Sequence, residues 1–559
     1  MATTLTRLVE LVRSKPFAAS LALVTHYVLH SDEWENSFHV FLGIWTVAFG
    51  GIAVLEYVCD SRAQTLGLAI QITATAATIY FGTLATSILL HRVFFHRLRG
   101  IPGPVTARFT KFHSIFAGVL PKFQYFKYVR SLHQKYRTDV IRTGPREVTV
   151  YCADAIPLVH GPLSKCTKAS IYTATELGGS SVHTTRNKQE HRERRKIWDQ
   201  AFSAKALREY EPRLNRHARA LMEKLGERAG KETVRITNWV NFCFDVMGDV
   251  GFNRSFGMVE KGEEADAIKL LHEATGILSI LSHLSWALNL ASRTSAGAKP
   301  LLDHMKWSAE ILEERTKARF GMQMLMTPKE NDVISWLLNP HDDRITPGMN
   351  ADTRLLVVAG SDTVSATLSF LFYELCLNPS VQAKLRKIID AIMPEKAHLD
   401  VNDLADCPFL DGVINEALRL HPAVPSGPVR ETPPEGFTLP NGTYIPGNIH
   451  IWTPIYTLQR DARYFQDPLT FMPERWTDER PGAVIDKRAF LPFITGVYNC
   501  VGQKLAMLEM RSVTANLVRR FEMGFAEGED GRTIEDGSRD CFTMNVGKLD
   551  VWLTERERV

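Results

Sequence analysis

Cys500 stands in the run Phe493-Ile-Thr-Gly496-Val-Tyr498-Asn-Cys500-Val-Gly502, just ahead of a helical stretch, Lys504–Phe521. At a helix start, free backbone N–H groups and the positive end of the dipole favour an anionic sulfur, which predicts a lowered thiol pKa. Gly496 and Gly502 permit tight turning and close approach of a flat ligand to the backbone. These are the needs of a thiolate that holds one face of a haem iron, with nearby N–H groups tuning its electron donation. A buried free cysteine is the commoner state, and it is the preferred reading for the other seven cysteines. Phenylalanine, glycine, cysteine and glycine at intervals of 3, 4 and 2 residues are much harder to obtain by accident.

Three further patterns carry chemistry. Ala359-Gly360-Ser361-Asp362-Thr363 lies within a long apolar helical pattern, Ala351–Leu377. Glycine weakens the helix, and the Thr363 hydroxyl can bond the carbonyl four residues back, so a local groove for water or dioxygen is expected. Asp-Thr on a helix is usually a solvated face. Between Leu355–Val358 and Leu368–Leu371, however, a buried polar pair demands a reason. Glu416 and Arg419, three apart, share a helix face and can pair, and Arg475 in Phe471-Met-Pro-Glu-Arg475-Trp476 can close a network of three. Alone, Glu-x-x-Arg means little, because exposed helices are full of it. His191 and Arg195 lie one turn apart in a charge-rich helical segment, which by itself reads as a solvated face, and Arg430 follows the Glu416 helix.

The elements that must position these residues are mostly helical: Asn187–Ala206, Pro212–Ala229, Trp239–Val250, Ala351–Leu377, Ser380–Met393 and Leu410–Leu420. Strands are few. Thr138–Ile141 and Glu147–Tyr151 read as a hairpin about Gly144-Pro145, with short strands near Thr438, Ile449 and Val551. The expected class is mainly α with small β-sheets. No long linker, repeat or low-complexity tract interrupts residues 101–559, which read as one domain.

Residues 1–100 read as a membrane anchor. Phe38–Leu55 and Thr65–Leu90 contain no Asp, Glu, Lys or Arg and are long enough to cross a bilayer, whereas Pro16–His30 falls between a span and an interfacial segment. Arg92, Arg97 and Arg99 follow the last span, while the loop Glu56–Gln64 holds only Arg62, so the positive-inside rule puts the chain after residue 91 in the cytosol. Arg7, Arg13 and Lys15 also favour the cytosolic side, which needs an even number of spans: two, with three as the alternative. Ile101-Pro102-Gly103-Pro104 then forms a stiff elbow. The 559 residues carry 66 basic against 62 acidic side chains, a net +4 that gives no case for nucleic acid. Eight scattered cysteines with no C-x-x-C pair argue against disulfides and structural zinc.

From Ile101 to the C-terminus the sequence resembles the cytochrome P450 superfamily, in particular its membrane-anchored fungal monooxygenases. The haem-binding pattern is matched at Phe493, Gly496, Cys500 and Gly502, and departs at Tyr498, where the family usually carries a basic residue on a haem propionate. The resemblance implies that haem b is bound through Cys500. It implies that Thr363 and Asp362 organise proton delivery on the oxygen side, and that Glu416, Arg419 and Arg475 support the pocket. His191, Arg195 and Arg430 match propionate-binding positions, and Val364 replaces a frequent second hydroxyl. The substrate pocket would draw on Tyr172–Val182, Gly276–Ala296, Leu355, Leu356, Val424–Gly427 and Phe542–Met544, mostly apolar or small, which points to a lipophilic substrate. The same resemblance implies a monooxygenase that inserts one atom of O2 into that lipophilic substrate in fungal secondary-metabolite biosynthesis, with electrons from NADPH through cytochrome P450 reductase at the endoplasmic reticulum. Two rivals stand beside it: a non-oxygenating haem-thiolate enzyme and a non-catalytic membrane haem protein.

Overall fold

The structure is a computed structural model that describes residues 10–11, 13–30, 34–59, 65–176, 178–291, 293, 299–322, 332–338 and 344–557. Arg7, Arg62 and positions 177, 292 and 294–296 of the expected pocket lie outside these residues.

Three helices come first: α1 (Lys15–His30), α2 (Phe38–Cys59) and α3 (Leu66–Leu90). The Phe38–Val58 and Leu66–Phe95 stretches are long and apolar enough to cross a membrane. Helix α1 lies beside α3: Tyr80 donates from its hydroxyl to Thr25 Oγ1 (2.8 Å), and His26 meets Ser87 at 2.6 Å. Residue number rises in both helices along these contacts, so the two run parallel. Arg13 pairs with Glu56 at the opposite end of the bundle (3.1 Å). The segment Pro16–His30, ambiguous in sequence, thus packs as a full partner of the two long helices. Outward faces stay apolar, with Val47 77% exposed.

The elbow that follows docks on the body. Arg142 N–H donates to Pro102 O (2.7 Å), and the buried Arg142 guanidinium donates to Arg92 O, Gly144 O and Pro145 O. Strands β1 (Val140–Gly144) and β2 (Glu147–Val150) form the expected hairpin, irregular between Arg142 and Gly144. They continue into a five-stranded sheet with β3 (Thr167–Lys168), β4 (Arg430–Glu431) and β5 (His450–Trp452), in the order β1-β2-β5-β4-β3. Only β2 and β5 run parallel among these pairs.

Helices make up most of the rest. Those used below are α4 (Lys188–Ala201), α5 (Asp266–Leu281), α6 (Pro347–Leu377), α7 (Pro408–Leu420) and α8 (Gln503–Arg520). The pattern expected over Asn187–Ala206 breaks after Ala201, where the Ser203 hydroxyl caps a new helix, Ala204–Gly226. Pro212, expected to open a helix, sits inside that one. Helix α6 is as long and apolar as a membrane span but is buried over most of its length, so packing identifies it as the central core helix. A last hairpin, β6 (Arg539–Cys541) with β7 (Thr543–Asn545), packs beside α6.

Candidate functional site

Two backbone contacts shape the cysteine loop. Cys500 N–H donates to Phe493 O (2.9 Å), and Asn499 N–H donates to Gly496 O (3.1 Å). Gly496 has φ +75°, and a Cβ there would run into the His160 carbonyl, so both conformation and space require glycine. Gly502 is different. A Cβ at Gly502 would meet only Cys500 Sγ and Phe202 at 3.9 Å, so the space beside it is left open by the protein itself. Among the described cysteines Cys500 alone has exposed surface; the other six are buried. Its surroundings still desolvate it strongly. The pKa expectation needs correction. Burial pushes the Cys500 thiol up, outweighing the N–H groups of Gly502 and Gln503 and the Arg195 guanidinium, which pull it down. A bound metal cation would have to complete the deprotonation.

Beside this loop lies a cluster of basic side chains. The Tyr498 ring is bordered by the His191 ring (4.7 Å, edge-on), Lys168 Nζ (4.9 Å) and the Arg430 guanidinium (5.0 Å). Lys168 and Arg430 are register partners across β3 and β4, so two like charges stand directly opposite in a two-residue ladder. Arg430 reaches Tyr172 OH (3.5 Å) and Val429 O (3.2 Å), but its buried Nε has no partner. Burial, then Arg430, pulls Lys168 down to about 7. Burial, then Lys168, pulls His191 to about 4 and the neighbouring His183 to about 3. No carboxylate among the described residues lies within ion-pair distance of Lys168, His191 or Arg430. Buried Arg430 with its orphaned Nε donor, beside a Lys168 that an anion would recharge and a neutral His191 that can still hydrogen-bond, fits an anionic ligand, and two propionates supply the required sign. Arg195 is placed otherwise. It donates to Asn499 O (2.7 Å) and Asn499 Oδ1 (2.9 Å), and pairs with Asp199 (2.8 Å), so it braces the cysteine loop directly.

On α6 the Thr363 hydroxyl donates to Ala359 O at 2.8 Å. Gly360 opens no groove on its own side: a Cβ there would strike the Met247 side chain, so the glycine admits Met247. Asp362 is buried and turned toward other elements. Its Oδ1 lies 3.2 Å from His272 Nε2 on α5, and its Oδ2 accepts from Thr543 Oγ1 at 3.5 Å on β7.

The Glu416 network is closed. Arg419 donates to both Glu416 oxygens (2.9 and 2.8 Å), and Arg475 Nε donates to Oε1 (2.9 Å). Trp476 Nε1 and Met472 N–H, each at 2.9 Å, complete the carboxylate. Remaining guanidinium donors of Arg419 go to the carbonyls of Gln459, Pro468 and Thr470.

A sequence model of the cytochrome P450 family matches residues 104–551. The chain belongs to the cytochrome P450 family. It is 34% identical to a cytochrome P450 monooxygenase of Fusarium pseudograminearum over 96% of both chains. It is 33% identical to the tryprostatin B 6-hydroxylase of Neosartorya fischeri, covering 90% of this chain and 91% of that one. The fold is similar to the crystal structure of the cytochrome P450DA heme domain, with TM-score 0.68, 19% identity, and coverage of 82% and 98%. The curated P450 relatives are monooxygenases, an oxidoreductase class, and the family is one of haem-thiolate proteins.

Within this P450, sequence reasoning missed Lys168 and His183 beside Tyr498 and His272 beside Asp362. Lys168 was reachable in principle, as a lone cation in an otherwise uncharged run, Thr167–Ala174. His272 gave no signal, since its partner Asp362 lies 90 residues away.

Proposed function

We propose that this protein is a haem-thiolate monooxygenase that inserts one atom of O2 into a lipophilic organic substrate in fungal secondary metabolism. Electrons come from NADPH through cytochrome P450 reductase. The N-terminal helices anchor it in the endoplasmic reticulum membrane, with the catalytic domain on the cytosolic side. The pairing of α1 with α3 favours three spans over two, which puts the N-terminus across the membrane from the catalytic domain.

One observation carries the reading. Cys500, the one exposed thiol among the cysteines whose side chains are described, stands beside buried basic side chains that have no acid within ion-pair distance. Haem b fits this donor set: Cys500 would hold its iron, and Lys168, His191 and Arg430 would hold its propionates. Bound there, a thiolate-ligated haem supplies dioxygen activation and favours O–O cleavage. The chain does the rest. Arg195 and the Gly496 turn hold the cysteine loop in place. Asp362 holds a proton-exchanging carboxylate next to Thr363, whose hydroxyl is fixed on Ala359 O. The retained acid–hydroxyl pair favours oxygen insertion over a non-oxygenating reaction, which has less need of proton delivery.

The test is spectroscopic. The reduced full-length protein with carbon monoxide should give the strongly red-shifted Soret band of thiolate-ligated haem, and Cys500→Ala should abolish it. A wild type without the band, or a mutant that keeps it, overturns the reading. Metabolite profiling with and without the gene product then identifies the substrate.

A further inference from the structure

Asp362 is buried, yet it belongs to a chain of charged groups that reaches the surface. His272 Nε2 lies 3.2 Å from Asp362 Oδ1, and His272 Nδ1 lies 2.5 Å from Glu264 Oε1. Side-chain exposure falls along the series, from 28% at Glu264 through 23% at His272 to 7% at Asp362. A neutral imidazole has one N–H, so it would turn a lone pair toward one of the two carboxylates; only the imidazolium donates to both. Three elements meet at the acid: α6 supplies Asp362, α5 supplies His272, and β7 supplies Thr543.

We propose that the Glu264–His272 pair is the positioning element for Asp362, linking the buried acid to solvent and keeping it supplied with protons. In one cycle the Nε2 proton passes to Asp362, leaving a neutral imidazole that keeps its Nδ1–H on the Glu264 carboxylate, and the bare Nε2 then recovers a proton from solvent that reaches the partly exposed His272; no electrons move. His272 is suited to this because it does not rest neutral. Burial alone would lower it, but hydrogen bonds to Asp362 and Glu264 push it up to about 10. The other groups about the site are the Phe244 ring beside His272 (6.3 Å), Thr543 on Asp362, and the Cys243 and Cys541 thiols, which feel the Asp362 charge. None of them replaces the imidazolium. Because α5 carries His272, displacement of α5 would also break the proton link.

This inference rests on the monooxygenase reading, and the experiment separates the two. Two-bond 1H–15N spectra of full-length, 15N-histidine-labelled holoprotein in nanodiscs, reduced and carbon-monoxide-bound, should find His272 doubly protonated from pH 6 to pH 9. Glu264→Gln and Asp362→Asn should each bring its midpoint down into that range. A wild-type His272 that titrates near 6.5 overturns the proposal. The second readout is the share of NADPH electrons released as hydrogen peroxide in the presence of reductase, with no substrate added. His272→Gln should raise the peroxide-to-water ratio about tenfold, the scale of one charge-assisted hydrogen bond. If Asp362→Asn raises the ratio and His272→Gln does not, this inference fails alone. If Asp362→Asn changes nothing, the proton role under the functional reading fails first. Should His272→Gln yield no haem protein, Glu264→Gln carries the prediction, and a wild-type midpoint and ratio there overturn it.

Discussion

Two buried basic clusters lie in this protein, and they differ in their counter-charge. Around Glu416, two guanidiniums share a carboxylate whose oxygens are filled by donors from Arg419, Arg475, Trp476 and Met472. Around Tyr498, Lys168, His191 and Arg430 crowd an aromatic ring with no acid among them, and Arg430 Nε has no partner. Burying a charge is costly unless it is paired. The first cluster is therefore complete within the chain and acts as scaffold. The second is complete only with an anion from outside, which marks it as a binding site. The presence or absence of an internal counter-charge separates the two roles, although both contain buried arginine.

The comparison breaks most visibly at its closed half. Glu416→Gln leaves Arg419 and Arg475 buried with one uncharged partner. Removing one member of a buried pair costs about 3–5 kcal/mol. Thermal unfolding followed by circular dichroism should show a large loss of stability, with little folded protein at 37 °C. A variant as stable as wild type would place the network outside the scaffold. Arg430→Met tests the open half and should behave oppositely. Removing an unpaired buried cation should not destabilise the haem-free chain, whereas haem should dissociate about 10–100-fold more readily, the range found for residues that support a bound metal group. Transfer of haem to apomyoglobin measures this. Equal haem retention in mutant and wild type would remove Arg430 from the cradle.

The closed cluster was also the legible one. Glu416 and Arg419 sit three apart on one helix, and Arg475 belongs to a short segment with its own pattern, so local spacing suffices. The open cluster was half legible. His191 and Arg430 were reachable through resemblance, but Lys168 joins them only because β3 pairs with β4 in the register that sets Lys168 against Arg430. No local periodicity encodes a two-residue strand pairing across more than 260 positions. The helix α1 was blurred for a related reason: at 16 residues it is too short to declare itself, and its packing on α3 settles its place in the bundle. Gly360 was read as a helix weakener because its tertiary neighbour, Met247, is invisible in sequence. Helix α6 and the Cys500 loop, by contrast, carry their signals locally.

A smaller effect is expected at the ring that holds the open cluster. Tyr498→Leu removes the aromatic face under Lys168 and Arg430, and buried cation–π contacts contribute about 0.5–2 kcal/mol. The expected result is a modest increase in haem loss, smaller than for Arg430→Met, with the carbon monoxide band unshifted. A shifted band would mean that Tyr498 acts on the cysteine loop and not on the cations.

The smallest prediction concerns protons. Before haem is bound, Lys168 is depressed to about 7, chiefly by burial and then by Arg430. A lysine whose folded pKa lies below its unfolded 10.5 binds fewer protons when folded. Its contribution is therefore unfavourable below about 7 and is relieved as pH rises from about 7 toward 10.5. Propionates arriving beside Lys168 would offset the burial and the Arg430 charge and restore its proton. Haem binding at pH 8 should accordingly release fewer protons than the Cys500 thiol gives up, because Lys168 takes up a fraction of one, visible in the dependence of the binding enthalpy on the ionisation enthalpy of the buffer. Lys168→Met should increase the net proton release while leaving Arg430 to hold the anion. An unchanged proton balance in Lys168→Met would leave Lys168 charged before the ligand arrives.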